Sequence, residues 1–168
     1  MNQEQWLGQI RLVRRITLQA MEGVTEVAAD IQPAGFPNTL RWHFGHILTV
    51  QETVFTHFAG EASKLSSKIF TLFSNGTVPK EWSFPPPSLL ELRQLLEAQL
   101  SYIESAYAHR MDETAIKPFR RLGHTMYTLG ELLLFSLHHE GIHLGYINSL
   151  KKAIALSGID DPGQTLSH

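Results

Sequence analysis

The chain has 168 residues, 43% of them hydrophobic and 18% charged, and a formal net charge of −2 when its nine histidines are neutral. That is enough chain for one domain, spanning residues 1–168, with a sizeable core, and the composition is that of an ordinary globular protein. The charge offers no basic surface for nucleic acid, and the lack of cysteine excludes disulfides, thiolate zinc sites and a cysteine nucleophile.

The N-terminal Met1-Asn2-Gln3-Glu4-Gln5-Trp6 lacks a charged-then-apolar signal pattern, and no apolar run is long enough to span a bilayer. A cytoplasmic protein with no membrane partner is expected. The first helix is expected from about Gln3 to about Ala29, with Trp6, Ile10, Val13, Ala20, Val24 and Val27 on one stripe at helical spacing. Pro33, Gly35 and Pro37 break the chain after it.

Asn38 or Thr39 can cap a second helix running to about Phe58. Trp42, His46, Val50 and Thr53 share one face of it, so His46 points where the core should be, while His43 is one position off that face and suits a supporting or surface place. From Gly60 to Pro87 serine, glycine, proline and asparagine rise, with Asn75-Gly76 as a turn and Pro85-Pro86-Pro87 as a stop. The apolar knot Ile69, Phe70, Leu72 and Phe73 predicts a short helical turn packed back on the body, either roofing a site or simply covering one end of the fold.

Ser88-Leu89-Leu90-Glu91 is a capping box and starts a third helix that runs to about Tyr107 on a stripe of Leu92, Leu95, Leu96, Gln99, Ile103 and Ala106. Arg110 to Tyr127 reads as a second connection, in which Pro118, Gly123 and Thr125 argue against helix; His124 there is a weak candidate ligand. Thr128-Leu129-Gly130-Glu131 is a second capping box, and a fourth helix is expected from it to about Leu156. Ser157-Gly158 ends it, and the tail through Pro162 to His168 is expected to fray. Four amphipathic helices, long connections after the second and third, and little strand signal predict an all-α four-helix bundle.

The fourth helix carries His138-His139-Glu140-Gly141-Ile142-His143. Leu132, Phe135, His139, His143, Tyr146 and Leu150 fall on one face, so His139 and His143 stack one turn apart, a spacing with which two imidazoles grip one metal ion. A third ligand must come from another element, and His46 is the best-placed candidate. Three neutral imidazoles leave coordination positions open, as in catalytic rather than structural sites, and Zn, Ni, Fe or Mn would fit.

Two segments resemble a known family. Asn38-Thr39-Leu40-Arg41-Trp42-His43-Phe44-Gly45-His46 resembles the W-H-x-x-H opening of the second helix in the DinB-like (YfiT-like) metalloenzyme family, and His139-Glu140-Gly141-Ile142-His143-Leu144-Gly145-Tyr146-Ile147 resembles its H-x-x-x-H-x-G-x-I segment on the fourth helix. The resemblance implies a four-helix bundle, often a homodimer, with a metal held by the residues here numbered His46, His139 and His143. Relatives include bacillithiol S-transferases, mycothiol-dependent isomerases and the iron-binding domain of ergothioneine-forming sulfoxide synthases. The family's name describes induction by DNA damage and implies no DNA binding. Tyr146 stands where a glutamine is frequent, which removes any substrate contact inferred from that glutamine.

Three functions follow. The first is a metal-dependent enzyme in which the ion activates water or a low-molecular-weight thiol for hydrolysis or S-transfer to a small-molecule substrate, with Glu140 as candidate base although it lies about 100° round the helix from His139. The second is a metalloprotease read from H-E-x-x-H; its extended form requires Gly at 146 and His at 149, where the chain has Tyr146 and Ser149, and only Asp160 or Asp161 remain as downstream ligands. The third is a non-catalytic metal-binding or scaffold bundle, which predicts a closed site with no pocket above it.

Overall fold

The structure, a computed structural model, describes residues 3–158. The first helix, α1 (Gln3–Ala20), buries Leu7, Ile10, Arg14 and Thr17, a stripe rotated from the one expected because it includes an arginine. It stops nine residues earlier than its apolar pattern suggests. Gly23 takes φ 70° in the turn that follows, and Thr25 then caps a separate short helix, α2 (Glu26–Asp30), accepting a hydrogen bond from the Ala28 N–H.

Helix α3 (Leu40–Thr53) starts at Thr39, whose side chain accepts from the Trp42 N–H, and continues as one wider π-helical turn over Val54–Phe58. Nearly every residue of α3 is buried, so it is the central helix. The expected turn after it is α4 (Ser67–Phe73). Both capping boxes form, Ser88–Glu91 at α5 (Leu89–Tyr102) and Thr128–Glu131 at α6 (Leu129–Leu156). Helix α5 also ends in a π-helical turn, Ile103–Tyr107. Helix α3 packs against α6, α5 and α4, and α1 packs against α6 and α5.

The second connection is not structureless. Strands β1 (Thr114–Arg121) and β2 (His124–Thr128) form an antiparallel hairpin, with Arg121 opposite His124 and a bulge between Thr114 and Phe119. The bulge accommodates Pro118. The two-residue turn has positive φ at both Leu122 (48°) and Gly123 (84°), the type I′ geometry whose usual sequence is Asn-Gly. Leucine in that place is why the sequence does not announce the turn. The fold is therefore mostly helical with one small two-stranded sheet.

The core is in two parts. One gathers Leu40, Phe44, Leu48, Phe73, Leu92, Leu96, Ile147 and Leu150; the other gathers Leu7, Ile10, Phe55, Ile103, Tyr107, Leu129 and Leu133. Between them lies a buried polar layer to which every long helix contributes, through Arg14, Gln51, Gln99 and Glu140 among others. Arg14 binds the other three. Its Nε and Nη2 are 3.0 and 3.2 Å from the two Glu140 oxygens, its Nη1 donates to the Leu96 carbonyl at 2.9 Å, and it also meets the Gln51 and Gln99 amide oxygens.

Candidate metal centre

His46 is buried about two turns into α3 from the Thr39 cap. Its Nδ1 lies 2.6 Å from the Phe73 carbonyl. A carbonyl only accepts, so His46 donates from Nδ1 and its Nε2 carries the free lone pair that a metal needs. The carbonyl is delivered by the end of α4, and Gly45 allows the approach, because a Cβ at that position would sit 2.4 Å from the Phe73 ring. The Thr49 hydroxyl donates to the same carbonyl at 3.1 Å, and the Trp42 ring stacks on His46 at 4.4 Å.

His139 and His143 project from successive turns of α6, and their Nε2 atoms are 3.1 Å apart. Two nitrogens each about 2.1 Å from a common ion would be separated by about 3.0 Å at a right angle and about 3.4 Å at a tetrahedral angle. The observed spacing thus fits a shared ion. His46, His139 and His143 offer ligand atoms all within 4.8 Å of one another, a group that could hold a metal ion.

His43 joins them. It is buried, its Nδ1 is 2.7 Å from Nδ1 of His143, and its ring stacks on Tyr146 at 5.5 Å. If both facing Nε2 atoms are bare, His143 must carry its proton on Nδ1 and donate it to His43, which is the usual way a supporting hydrogen bond fixes a ligand imidazole. From the sequence His43 reads as a residue off the working face. Only the crossing of α3 and α6 brings it to His143.

Burial pushes all four imidazoles towards the neutral form, and for His43, His139 and His143 repulsion from neighbouring histidines adds to it. His143 falls to about 3 through burial and then its neighbours His139, His46 and His43. His139 falls to about 4 through burial, His46, His138 and Arg121, and His43 to about 4 through burial and His46. His46 is also lowered, burial outweighing its bond to the Phe73 carbonyl. At neutral pH these rings are unprotonated, the state that binds metal.

Glu140 is not brought to this group. It occupies the centre of the buried face of α6, held by Arg14 and by the Thr17 hydroxyl at 2.5 Å. His139 instead lies at the edge of that face, half-buried, and Tyr146 is largely exposed. The buried positions of α6 run through Leu129, Leu133, Ser136, Glu140, His143, Ile147, Leu150 and Ile154, a repeat the leucine-rich helix hides because apolar residues also occupy its other faces. A carboxylate committed to a guanidinium is not placed to act as the base of an H-E-x-x-H centre. His124 is exposed on β2, and Asp160, Asp161 and His168, with the rest of the tail, lie outside the described residues.

Beside the centre is a cavity of about 290 Å³. Its walls are Thr49, Val50 and Thr53 of α3, Leu132, Phe135 and Ser136 of α6, Ser74 and Asn75 of the first connection, and Phe119 of the hairpin. These are the turns next to His46 and His139, so the cavity adjoins the histidines without being walled by them. The first connection therefore both orients a histidine and closes a pocket.

Fold and site together define a mostly helical protein with a largely buried three-histidine group that could hold a metal ion. The chain belongs to the DinB superfamily, whose family model matches residues 9–147 and so includes His46, His139 and His143. No curated protein matches the sequence. Among the described residues no helix is long and apolar enough to cross a membrane.

Proposed function

We propose that this chain is a single-domain, metal-dependent enzyme of the DinB superfamily acting on a small molecule, built on a four-helix bundle of α1, α3, α5 and α6. The convergence of His46, His139 and His143 carries the reading. These three side chains are the ligands, His43 and the Phe73 carbonyl orient two of them, and Glu140 positions α6 through Arg14 rather than acting as a base. A divalent ion (Zn, Ni, Fe or Mn) would supply Lewis-acid activation of water or of a low-molecular-weight thiol at neutral pH. The chain's own part is to hold the ion with neutral donors, to leave positions open and to offer an apolar cavity that limits water around the substrate. Hydrolysis and thiol S-transfer both follow from that arrangement.

The test is metal content by mass spectrometry on protein purified without an affinity tag, with His46→Ala and His143→Ala beside it. About one ion per chain, lost in both variants, is the expected result. Retention in His46→Ala would remove α3 from the centre, and no uptake after reconstitution with all four metals would end the reading.

A further inference from the structure

A second depression lies on the other side of Phe135, which lines both it and the cavity beside the histidines. It is an open groove of about 590 Å³ between the hairpin and the outer face of α6. Its apolar lining is Leu122, Met126, Leu134 and Phe135; its polar lining is Arg121, His124, His138 and Glu131. Glu131, the one acid there among the described residues, is already used, accepting the Tyr127 and Thr128 N–H groups of the α6 cap at 2.7 and 2.9 Å. The groove therefore presents one uncompensated guanidinium and two imidazoles against an apolar floor.

Arg121 is one of three arginines, with Arg15 and Arg120, that form no ion pair among the described residues, and the one of them that lines the groove. Arg11, Arg14, Arg41, Arg93 and Arg110 all bind carboxylates, whereas among the described residues Arg121 forms no ion pair and is exposed. It is held at the last position of β1, directly before the turn, by pairing with His124. Its charge lies near enough to the His139 ring to disfavour a proton there. His138, next to His139 on α6, lines the same groove. Leu122 adds an apolar side chain 99% exposed at the tip, with its backbone held at positive φ.

We propose that this groove is the carboxylate subsite of the metal centre, with Arg121 selecting a substrate that carries a carboxylate on an apolar body. A guanidinium matches a carboxylate with two parallel hydrogen bonds, which a point charge does not. The apolar floor contacts the body of such a molecule, and Phe135 is the shared wall past which it runs towards His139. This inference rests on the metal reading above, and it names the class of substrate.

The probes are ω-mercapto acids of two to six carbons and the mercapto alcohols of matching length, titrated into the cobalt-loaded protein. Binding is read from the thiol-to-cobalt absorption in the near ultraviolet and from calorimetry, beside metal content. One chain length of acid is expected to bind about tenfold more tightly than its alcohol, the size expected of a charge-assisted hydrogen bond. That advantage should fall with added salt because Arg121 is exposed. Arg121→Gln should abolish it, leaving the alcohol's affinity and the metal content unchanged, while Arg120→Gln should keep it. Equal affinity of acid and alcohol in the wild type at full metal content would overturn the carboxylate subsite and leave the metal reading standing. So would an advantage that survives in Arg121→Gln. A wild type that takes up no cobalt would bring down both.

Discussion

Two polar groups sit side by side on α6 and are treated in opposite ways. Glu140 faces the layer of Arg14, Gln51, Gln99 and Thr17, in which charge meets opposite charge. The layer extends through Gln99 to Glu52, which in turn accepts the Ser63 hydroxyl and the Lys64 N–H. One residue before it and three after, His139 and His143 face other imidazoles, with nitrogen set against nitrogen at 3.1 Å and at 2.7 Å. The first set is saturated by the protein. In the second, a hydrogen bond to His43 leaves the outer nitrogen of His143 facing those of His139 and His46, with no cation supplied among the described residues. Buried polar groups that are complete among themselves hold a fold together, whereas buried donors of one kind gathered on one point await a partner from outside.

The largest effect should come from breaking the saturated set. Glu140→Ala leaves the Arg14 guanidinium, only 2% exposed, without its carboxylate. Loss of one partner from a buried pair costs about 3–5 kcal/mol, and urea unfolding should show it. Replacing both residues by apolar ones, Arg14→Met with Glu140→Leu, should recover most of that stability. His143→Ala should behave in reverse, costing the metal-free protein about 1 kcal/mol while abolishing metal uptake. If Glu140→Ala proved as stable as the wild type, the layer would not be the structural element described.

Acid should separate the two sets next. The folded protein lowers His139 and His43 to about 4 and His143 to about 3 from an ordinary 6.5. Below pH 6.5 the unfolded chain takes up protons that the folded chain refuses, so the metal-free protein should lose stability as pH falls from 6.5 towards 3 and be level above 6.5. Glu61 acts in the same direction at lower pH. Burial raises it, but the Tyr102, Arg110 and Tyr107 bonds outweigh that, so its contribution is lost as pH falls through its depressed folded value. The interval from about pH 7 to 5 isolates the imidazoles. Urea midpoints in chelator should drop across that interval, and a His139→Ala, His143→Ala double variant should flatten the curve.

Much of this contrast was legible before the structure. The two capping boxes, the helix ends they fix and the trio His46, His139 and His143 follow from local chemistry and one helical spacing. Glu140 reads only as a candidate base in the sequence; that it meets Arg14 is hidden, because a leucine-rich helix has no clear polar side and its inward face depends on what Arg14 offers from α1. Arg14 is not on the apolar stripe expected of the first helix, and its place shows only through a partner 126 positions away. The hairpin was hidden for another reason: its turn uses Leu122-Gly123, and Pro118 interrupts the alternation that marks a strand. His43 belongs to the same class as Glu140, since its role depends on how two helices cross.

Gly45→Ala tests the contrast from the side of the roof. The added Cβ would lie 2.4 Å from the fully buried Phe73 ring, so α4 must move. Such overpacking costs about 1–3 kcal/mol. The Phe73 carbonyl would move with it and release His46, and a lost supporting bond of this kind lowers metal affinity about tenfold or more. A chelator titration and a urea curve on the same variant measure both. Unchanged affinity with lowered stability would mean that α4 only packs against the centre.

His43 should give the smallest effect and sharpen the contrast most. It is the one buried imidazole of the four that does not belong to the converging trio. As acceptor for His143 Nδ1 it should change how well the ion is held, with the ligand set intact. His43→Ala is expected to lower metal affinity about tenfold with near-stoichiometric binding still reached at excess metal. His43→Gln, whose amide oxygen can accept the same proton, should restore most of it. Loss of binding altogether in His43→Ala would make His43 a ligand in its own right. Equal affinities in all three proteins would show that His143 is oriented by the packing of α6 alone, and the saturated layer around Glu140 would then be what sets the geometry of both neighbouring histidines.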